Sequence, residues 1–273
     1  MDMQNTGAAA LTVYDRICLT RKNGRATAID YIESGDIFTD FCELHGDRTF
    51  GDDHAVIGGI ARLGDKPVTV IGIDKGRDLK ERLDRHFGCV LPEGYRKALR
   101  LIKQAEKFNR PVICFVDTQG ANCGKGAEER GAGEAIARNL YELSAVRTPI
   151  ITVMIGEGGS GGALGIAVAN EVYMMQNAIY SVISPRGCAS ILWKDASREL
   201  DAAQALHITA EDLLQFDMIE GIIKEGITQS AYFKNIKTTL TAALKRLSAM
   251  SEQELQNQRY EKFRKIGVFY ENT

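Results

Sequence analysis

The sequence lacks several features, and each absence excludes a class of function. No apolar run approaches the ~18–20 residues that a transmembrane helix needs, so no membrane span is expected. Met1-Asp2-Met3-Gln4-Asn5 carries no basic residue and Ala8-Ala9-Ala10-Leu11 is a short apolar stretch, so no secretory signal is expected. Neither sign of charge dominates. The 34 Lys and Arg against 36 Asp and Glu give a formal net charge of −2, and the pI is about 6.1, which leaves no electrostatic case for nucleic acid or an anionic membrane. The six cysteines, Cys18, Cys42, Cys89, Cys114, Cys123 and Cys188, include no Cys-x-x-Cys pair. Neither a metal site nor a disulfide framework is indicated, and free thiols point to the cytoplasm. No low-complexity linker divides the 273 residues, whose hydrophobic content of 44% suffices for one sizeable core.

Glycine, by contrast, is concentrated. Residues 150–168, IITVMIGEGGSGGALGIAV, read as an apolar strand over 150–155, a turn over 156–162 and a small-residue helix from Ala163 onward. Five of the seven turn residues are glycine. Glycine costs roughly 0.5–1 kcal/mol relative to alanine inside regular structure, so such density marks positive φ angles or backbone that something must approach closely. Three readings of the turn stand side by side. Gly156-x-Gly158-x-x-Gly161 fits a dinucleotide fingerprint, but that fingerprint needs a carboxylate about 20 residues on, and Met174-Met175-Gln176-Asn177-Ala178 has none. Gly158-x-Ser160-x-Gly162 fits a nucleophile elbow, with His207 the only downstream histidine and Asp195 or Asp201 as third member. The third is an oxyanion hole of backbone amides, with Gly161 and Gly162 as donors; it needs no catalytic side chain and suits a turn whose only side chains are Glu157 and Ser160. On that reading Gly162→Val redirects an amide and is expected to lower turnover at least about tenfold with the fold intact. No Gly-Lys-Ser/Thr follows the glycines, which excludes a P-loop.

The rest of the chain reads as α/β. Residues 11–44 are mixed and helical in spacing, and His45-Gly46-Asp47-Arg48 is a polar link in which Asp47 or Arg48 is a candidate substrate contact. Strands over 56–62 and 67–74 flank the turn Leu63-Gly64-Asp65-Lys66, a hairpin. The charged run over 75–82 is a solvated helix end or a basic cluster able to meet a phosphate or carboxylate. An amphipathic helix over 95–108 precedes a buried strand over 111–117. A second glycine-rich loop, 118–126, leads into one helix over 127–146, with Ile136, Ala137, Leu140, Leu143 and Ser144 expected inward. The strand–loop–helix unit then repeats at 150, which argues for stacked parallel strands. Later strands are expected over 172–175, 179–183 and 218–223, and helices over 230–247 and 251–266.

Five stretches carry a resemblance: GEGGSGGA at 156–163, LPEGYRKALRL at 91–101, GAEERG at 126–131, EAIARNL at 134–140 and GCASILWK at 187–194. Together, and in the family's order along the chain, they resemble the α subunit of bacterial acetyl-CoA carboxylase carboxyltransferase, with the match running from about Leu11 to Glu225. The resemblance implies a ClpP/crotonase-like superhelix of ββα units with N- and C-terminal helical appendages. The expected partition is an N-terminal helical arm over 1–50, the carboxyltransferase domain over 51–228 and a C-terminal helical extension over 229–273. It further implies transfer of a carboxyl group from carboxybiotin, borne on a carrier protein, to acetyl-CoA, giving malonyl-CoA for fatty acid biosynthesis. The implied partners are a carboxyltransferase β subunit in a heterotetramer of two α and two β chains, the biotin carboxyl carrier protein and biotin carboxylase. No metal is implied in this chain, because the β subunit carries the zinc ribbon. Gly161 and Gly162 match the family's oxyanion amides, which hold the ureido oxygen of biotin, while Gly158, Gly159, Gly120 and Ala121 shape the biotin pocket. The biotin anion takes the acyl proton, so no protein base is needed. Three departures stand out. The family's DTPGAYPG reads Asp117-Thr118-Gln119-Gly120-Ala121-Asn122-Cys123-Gly124, followed by Lys125; SPEG reads Ser184-Pro185-Arg186-Gly187; and most of the usual N-terminal helical extension is missing. The first two are expected to loosen and recharge the substrate-side loops.

Overall fold

A computed structural model describes residues 11–267. Helices α1 (Val13–Thr20) and α2 (Ala28–Glu33) precede strand β1 (Thr39–Glu43) and the hairpin β2 (Val56–Leu63) and β3 (Lys66–Ile73). Helices α3 (Leu79–Asp84) and α4 (Pro92–Lys107) lead to β4 (Val112–Thr118). Helices α5 (Lys125–Glu129) and α6 (Ala132–Ser144) lead to β5 (Ile150–Gly159), then α7 (Ser160–Leu164), β6 (Glu171–Met175) and β7 (Ile179–Ser181). Helices α8 (Pro185–Trp193), α9 (Glu199–Ala205) and α10 (Ala210–Gln215) precede β8 (Gly221–Ile223), and α11 (Gln229–Leu247) and α12 (Glu252–Arg264) complete the described chain.

All the strands join one mixed sheet in the order β1-β2-β3-β4-β5-β6-β8, with β7 also paired to β5. The β2–β3 hairpin is antiparallel and closes Leu63 on Lys66 through a two-residue turn in which Gly64 takes a left-handed φ of +59°. From β3 through β4, β5 and β6 to β8 the pairing is parallel. Parallel strands are covered on both faces, and every residue of β4 is buried. One cover is aromatic. Tyr31 of α2 stacks on Phe115 of β4 at 5.7 Å and meets Phe233 of α11 edge-on at 5.4 Å.

Four expectations change. Residues 39–43, inside the expected helical arm, form β1, because the edge of β2 offers Thr39 and Glu43 a partner at Arg62 and Gly59. The single helix expected over 127–146 is two, broken at Gly131, which sits left-handed at φ +81° and starts α6. The buried face of α6 is Ala132, Ala135, Asn139 and Leu143, whereas Ala137 and Ser144 are exposed and Ile136 and Leu140 are half-buried. Asn139 tolerates burial because its amide donates to the Tyr95 and Gly165 carbonyls at 3.1 and 3.0 Å. Strand β5 runs through the expected turn as far as Gly159, since Gly158 and Gly159 find partners on β7 at Tyr180 and Ser181.

Asp47, a candidate substrate contact by sequence, is committed to the scaffold. It is buried, accepts from the backbone N–H groups of Thr49, Phe50 and Gly51 at 2.7–3.0 Å, and pairs with Arg96 at 2.8 Å. Burial opposes its ionisation, but the three backbone donors and Arg96 prevail and hold the carboxyl down at about 2. A lowered carboxyl pKa contributes stability that is complete above the unfolded value near 4 and is lost as pH falls towards 2. Stability is therefore expected to drop over that window. Asp47→Asn should remove about 1–2 kcal/mol at pH 7 and flatten the acid slope, checked by urea unfolding at a series of pH values. An unchanged acid slope in the variant would contradict the assignment.

Candidate active site

The two glycine-rich loops meet because β4 and β5 are adjacent and parallel, so both loops leave the same end of the sheet. Thr118, at the end of β4, pairs with Gly158, at the end of β5. Beyond that pair the loops touch backbone to backbone. A Cβ on Gly159 would lie 2.2 Å from the Gln119 carbonyl oxygen, and one on Gly162 would lie 2.4 Å from the Ala121 nitrogen. Only glycine permits this approach. Gly120, Ala121, Gly158, Gly159 and Gly162 thus converge. Gly161 differs from Gly162: a Cβ there would meet only an Ile136 methyl carbon at 3.8 Å, an ordinary van der Waals contact.

Helix α7 is only five residues long and opens with Ser160 in the left-handed region at φ +52°. Gly161 and Gly162 occupy its first turn, where N–H groups have no intrahelical acceptor. Among the described residues no loop carbonyl or side chain accepts from either N–H. The Gly162 carbonyl, in contrast, is fixed by the buried Tyr95 hydroxyl at 3.0 Å. Since Asn139 holds Tyr95 and Gly165 together, α4 and α6 both brace α7.

Two cavities open on this junction. One, of about 240 Å³, is lined by Thr118, Gln119, Gly158, Gly159 and Ser160 with Arg21 and Glu157. The other, of about 210 Å³, is lined mainly by apolar groups of Leu164, Tyr180, Val182 and Met218 together with Ser160 and Gly161. A larger cavity of about 920 Å³ between Phe216 and Lys262 shares no residue with either loop. Of the residues departing from the family pattern, Gln119 lines the first cavity, whereas Cys123, Lys125 and Arg186 are exposed and line neither.

Beneath the junction runs a chain of charges that the sequence did not reveal. Arg21 donates from Nε and Nη2 to one oxygen of Glu157 at 2.9 and 2.7 Å. The Glu157 backbone N–H donates to Asp117 at 2.9 Å, and Lys75 Nζ reaches the other Asp117 oxygen at 2.9 Å. Burial pushes the Asp117 carboxyl up, with Lys75 opposing it. Glu157 Oε2 is buried without a hydrogen-bond partner. Arg21 and Glu157 lie 136 residues apart, so no motif could have joined them. Glu157 and Lys75 had each been visible, as the lone acid of the turn and as part of the basic run, but not as neighbours.

The alternative readings of the turn find no support in this arrangement. His207 is exposed and contacts Asp212 at 3.4 Å, Asp195 caps Ser197, and Asp201 pairs with Arg198. None is hydrogen-bonded to Ser160. No carboxylate stands at the end of β6, where a dinucleotide ribose would need one; its Glu171 opens the strand and pairs with Arg246.

The mixed sheet with paired glycine loops places the molecule in a known class. It superposes on the 12S core of a transcarboxylase, solved with methylmalonyl-coenzyme A and methylmalonic acid bound, with a TM-score of 0.70 at 19% identity, covering 84% of this chain and 42% of that one. The fold is therefore crotonase-like, of the kind found in carboxyltransferases. A family model described as acetyl co-enzyme A carboxylase carboxyltransferase-like matches residues 2–267. The acetyl-coenzyme A carboxylase carboxyl transferase subunit alpha of Listeria welshimeri is 53% identical over 264 residues, covering 95% of this chain and 82% of its own length. A Natranaerobius thermophilus protein named as subunits beta/alpha is 53% identical over 268 residues, covering 96% of this chain and 44% of its own length. The chain belongs to the family of acetyl-CoA carboxylase carboxyltransferase α subunits, biotin-dependent transferases. The match is longer than the 11–225 span carried by the sequence motifs and takes in α11 and α12.

Proposed function

We propose that this chain builds one half of a carboxyl-transfer site and that Gly161 and Gly162 are its oxyanion donors. The carrying observation is a pair of adjacent N–H groups in the first turn of α7 with no acceptor of their own, beside a cavity that Gly161 lines. Carboxybiotin, delivered on a carrier protein, supplies the activated carboxyl group. The two amides bind the ureido oxygen and hold the negative charge that gathers there as the carboxyl departs; a fixed donor of this kind contributes about 10²–10³ in rate. Gly158, Gly159, Gly120 and Ala121 form the wall against which the ring system lies, shaped by backbone that no side chain obstructs. The acceptor is acetyl-CoA and the product malonyl-CoA.

The other half of the site would come from a β subunit, a reading favoured by the relative whose name joins beta and alpha subunits. A heterotetramer of two α and two β chains, served in the cytoplasm by a biotin carboxyl carrier protein and biotin carboxylase, completes the proposal. No helix among the described residues is long and apolar enough to cross a membrane. We also propose the partition into residues 1–50, 51–228 and 229–273, amended in that 39–43 joins the central sheet. The test is the reverse reaction, malonyl-CoA-dependent carboxylation of free biotin. Activity is expected only when a β subunit is added; a stable mixture that fails with malonyl-CoA but works with another dicarboxylic thioester would overturn the assigned substrate.

A further inference from the structure

The basic run over 75–82 has no part in the reaction as described, yet the fold carries it to the edge of the site. Lys75 and Arg82 line a small cavity of about 50 Å³ together with Arg21, Phe87, Gln119 and Glu157. Three of these residues, Arg21, Gln119 and Glu157, also line the 240 Å³ cavity over the glycine loops, so the two spaces adjoin. We infer that Arg21, Lys75 and Arg82 form an oxyanion subsite at the mouth of the transfer site, taking a phosphate or carboxylate group of the acyl-thioester ligand.

The charge balance supports this. Arg21 is paired with Glu157 and Lys75 with Asp117. Arg82 has no carboxylate partner among the described residues; its Nε donates only to the Gly76 carbonyl at 3.2 Å. One positive charge is therefore left uncompensated where three cationic side chains converge, and a charge-assisted hydrogen bond to an anion satisfies it. The cations are held rather than free. Lys75 is buried and also donates to the Thr20 carbonyl, and the Glu157 carboxylate fixes the Arg21 guanidinium through two donors.

The adjoining backbone is built for the same place. His86 and Phe87 are consecutive non-glycine residues in the left-handed region, at φ 49° and 56°. Such conformations are costly for non-glycine residues and persist where surrounding structure enforces them. Here the enforcing contact is Gly88, where a Cβ would start 2.8 Å from the Asp117 carbonyl oxygen and 3.2 Å from Lys75 Cβ. This close approach presses the Phe87 loop against the end of β4 and leaves Phe87 40% exposed at the cavity rim. An aromatic face beside guanidinium groups suits a ligand whose anionic group is attached to a larger organic body.

The thioester as ligand rests on the function proposed above; the subsite itself is tested by binding alone. The chain, assembled with its β subunit, is dialysed at equilibrium against radiolabelled acetyl-CoA, malonyl-CoA and 3′-dephospho-acetyl-CoA. The wild type is compared with Arg82→Gln and Arg82→Glu, chosen because Arg82 supports no internal ion pair. Binding is expected to weaken about tenfold in the first variant and further in the second, with the gap closing at high salt. A loss shared by all three ligands assigns the pyrophosphate to the subsite. A loss for the two 3′-phosphorylated ligands only assigns the 3′-phosphate, and a loss for malonyl-CoA only assigns the carboxylate. Affinities within twofold of wild type for every ligand in both variants overturn the subsite, as does a wild type that binds none of them. A wild-type complex that binds normally but transfers no carboxyl group would refute the reaction and leave the subsite standing.

Discussion

Gly161→Pro is expected to slow carboxyl transfer by about 10²–10³, the effect of removing one oxyanion donor. Proline deletes the N–H and nothing else of chemical consequence. At the start of a helix that N–H has no helical acceptor to lose, and proline is at home there. Space is available too, because the nearest atom to a Cβ at this position is 3.8 Å away. Proline also presses on Ser160, already left-handed at φ +52°, so the comparison needs Gly161→Ala, which keeps the donor and adds a methyl group. The alanine variant should retain most of the activity, and both variants should unfold near the wild-type midpoint. Equal transfer rates in the proline and alanine variants would refute Gly161 as a donor. Gly162 cannot serve for this experiment. The sequence suggested that Gly162→Val would leave the fold intact, but a Cβ there lies 2.4 Å from the Ala121 backbone nitrogen, so any side chain must separate the two loops before it tests an amide.

Arg259→Ala should cause the largest loss of stability, about 3–5 kcal/mol in all, because each buried acceptor left without a donor costs about 1–3 kcal/mol. Arg259 is 1% exposed and has no carboxylate partner among the described residues. Its guanidinium donates instead to the Leu143 and Val146 carbonyls at 2.6 and 2.8 Å and to Asn170 at 2.9 Å. Two consequences follow from that arrangement. Burial lowers its pKa to about 10, yet it remains charged at neutral pH, and it sits at the C-terminus of α6, where the helix dipole favours a cation. Asn170 in turn accepts from the Ile150 N–H at the start of β5 and donates to the Leu255 carbonyl of α12. Truncation therefore leaves several buried acceptors unsatisfied and opens a cavity between α12, α6 and the head of the strand that ends in the active-site turn. Arg259→Lys should recover only part of the loss, since a single ammonium cannot span the same acceptors. Urea unfolding measures both variants; a cost below about 1 kcal/mol for the alanine variant would show that the α6 terminus finds other partners.

The parts legible in the sequence are those whose cause is local. The runs that became β4 and β5 are continuous apolar stretches that only a covered strand accommodates, and the hairpin announced itself through Gly64-Asp65 between two β-rich runs. The glycine turn was legible because glycine is costly inside regular structure, so its density pointed to positive φ angles or to close approach. The parts that were misjudged depend on distant partners. Residues 39–43 lack a strong strand pattern and become β1 only because β2 offers an edge. Asn139 broke the expected inward face of α6 because its two acceptors lie on α4 and after α7.

The candidate site divides along the same line. By itself the sequence determined the fold class and the family, which rest on contiguous motifs, and it singled out the six glycine-loop residues proposed for the site. That Gly161 accepts a side chain and Gly162 does not was decided by the tertiary structure, through the 2.4 Å approach at Gly162 and the ordinary 3.8 Å contact at Gly161. The tertiary structure also brought Arg21 to Glu157 and Lys75 to Asp117. Ion pairs form wherever folding leaves opposite charges adjacent, and nothing in the chain order of those four residues encodes the meeting. The parallel sheet brings Lys75, Asp117 and Glu157 together at the ends of β3, β4 and β5, and the C-terminus of α1 carries Arg21 to them.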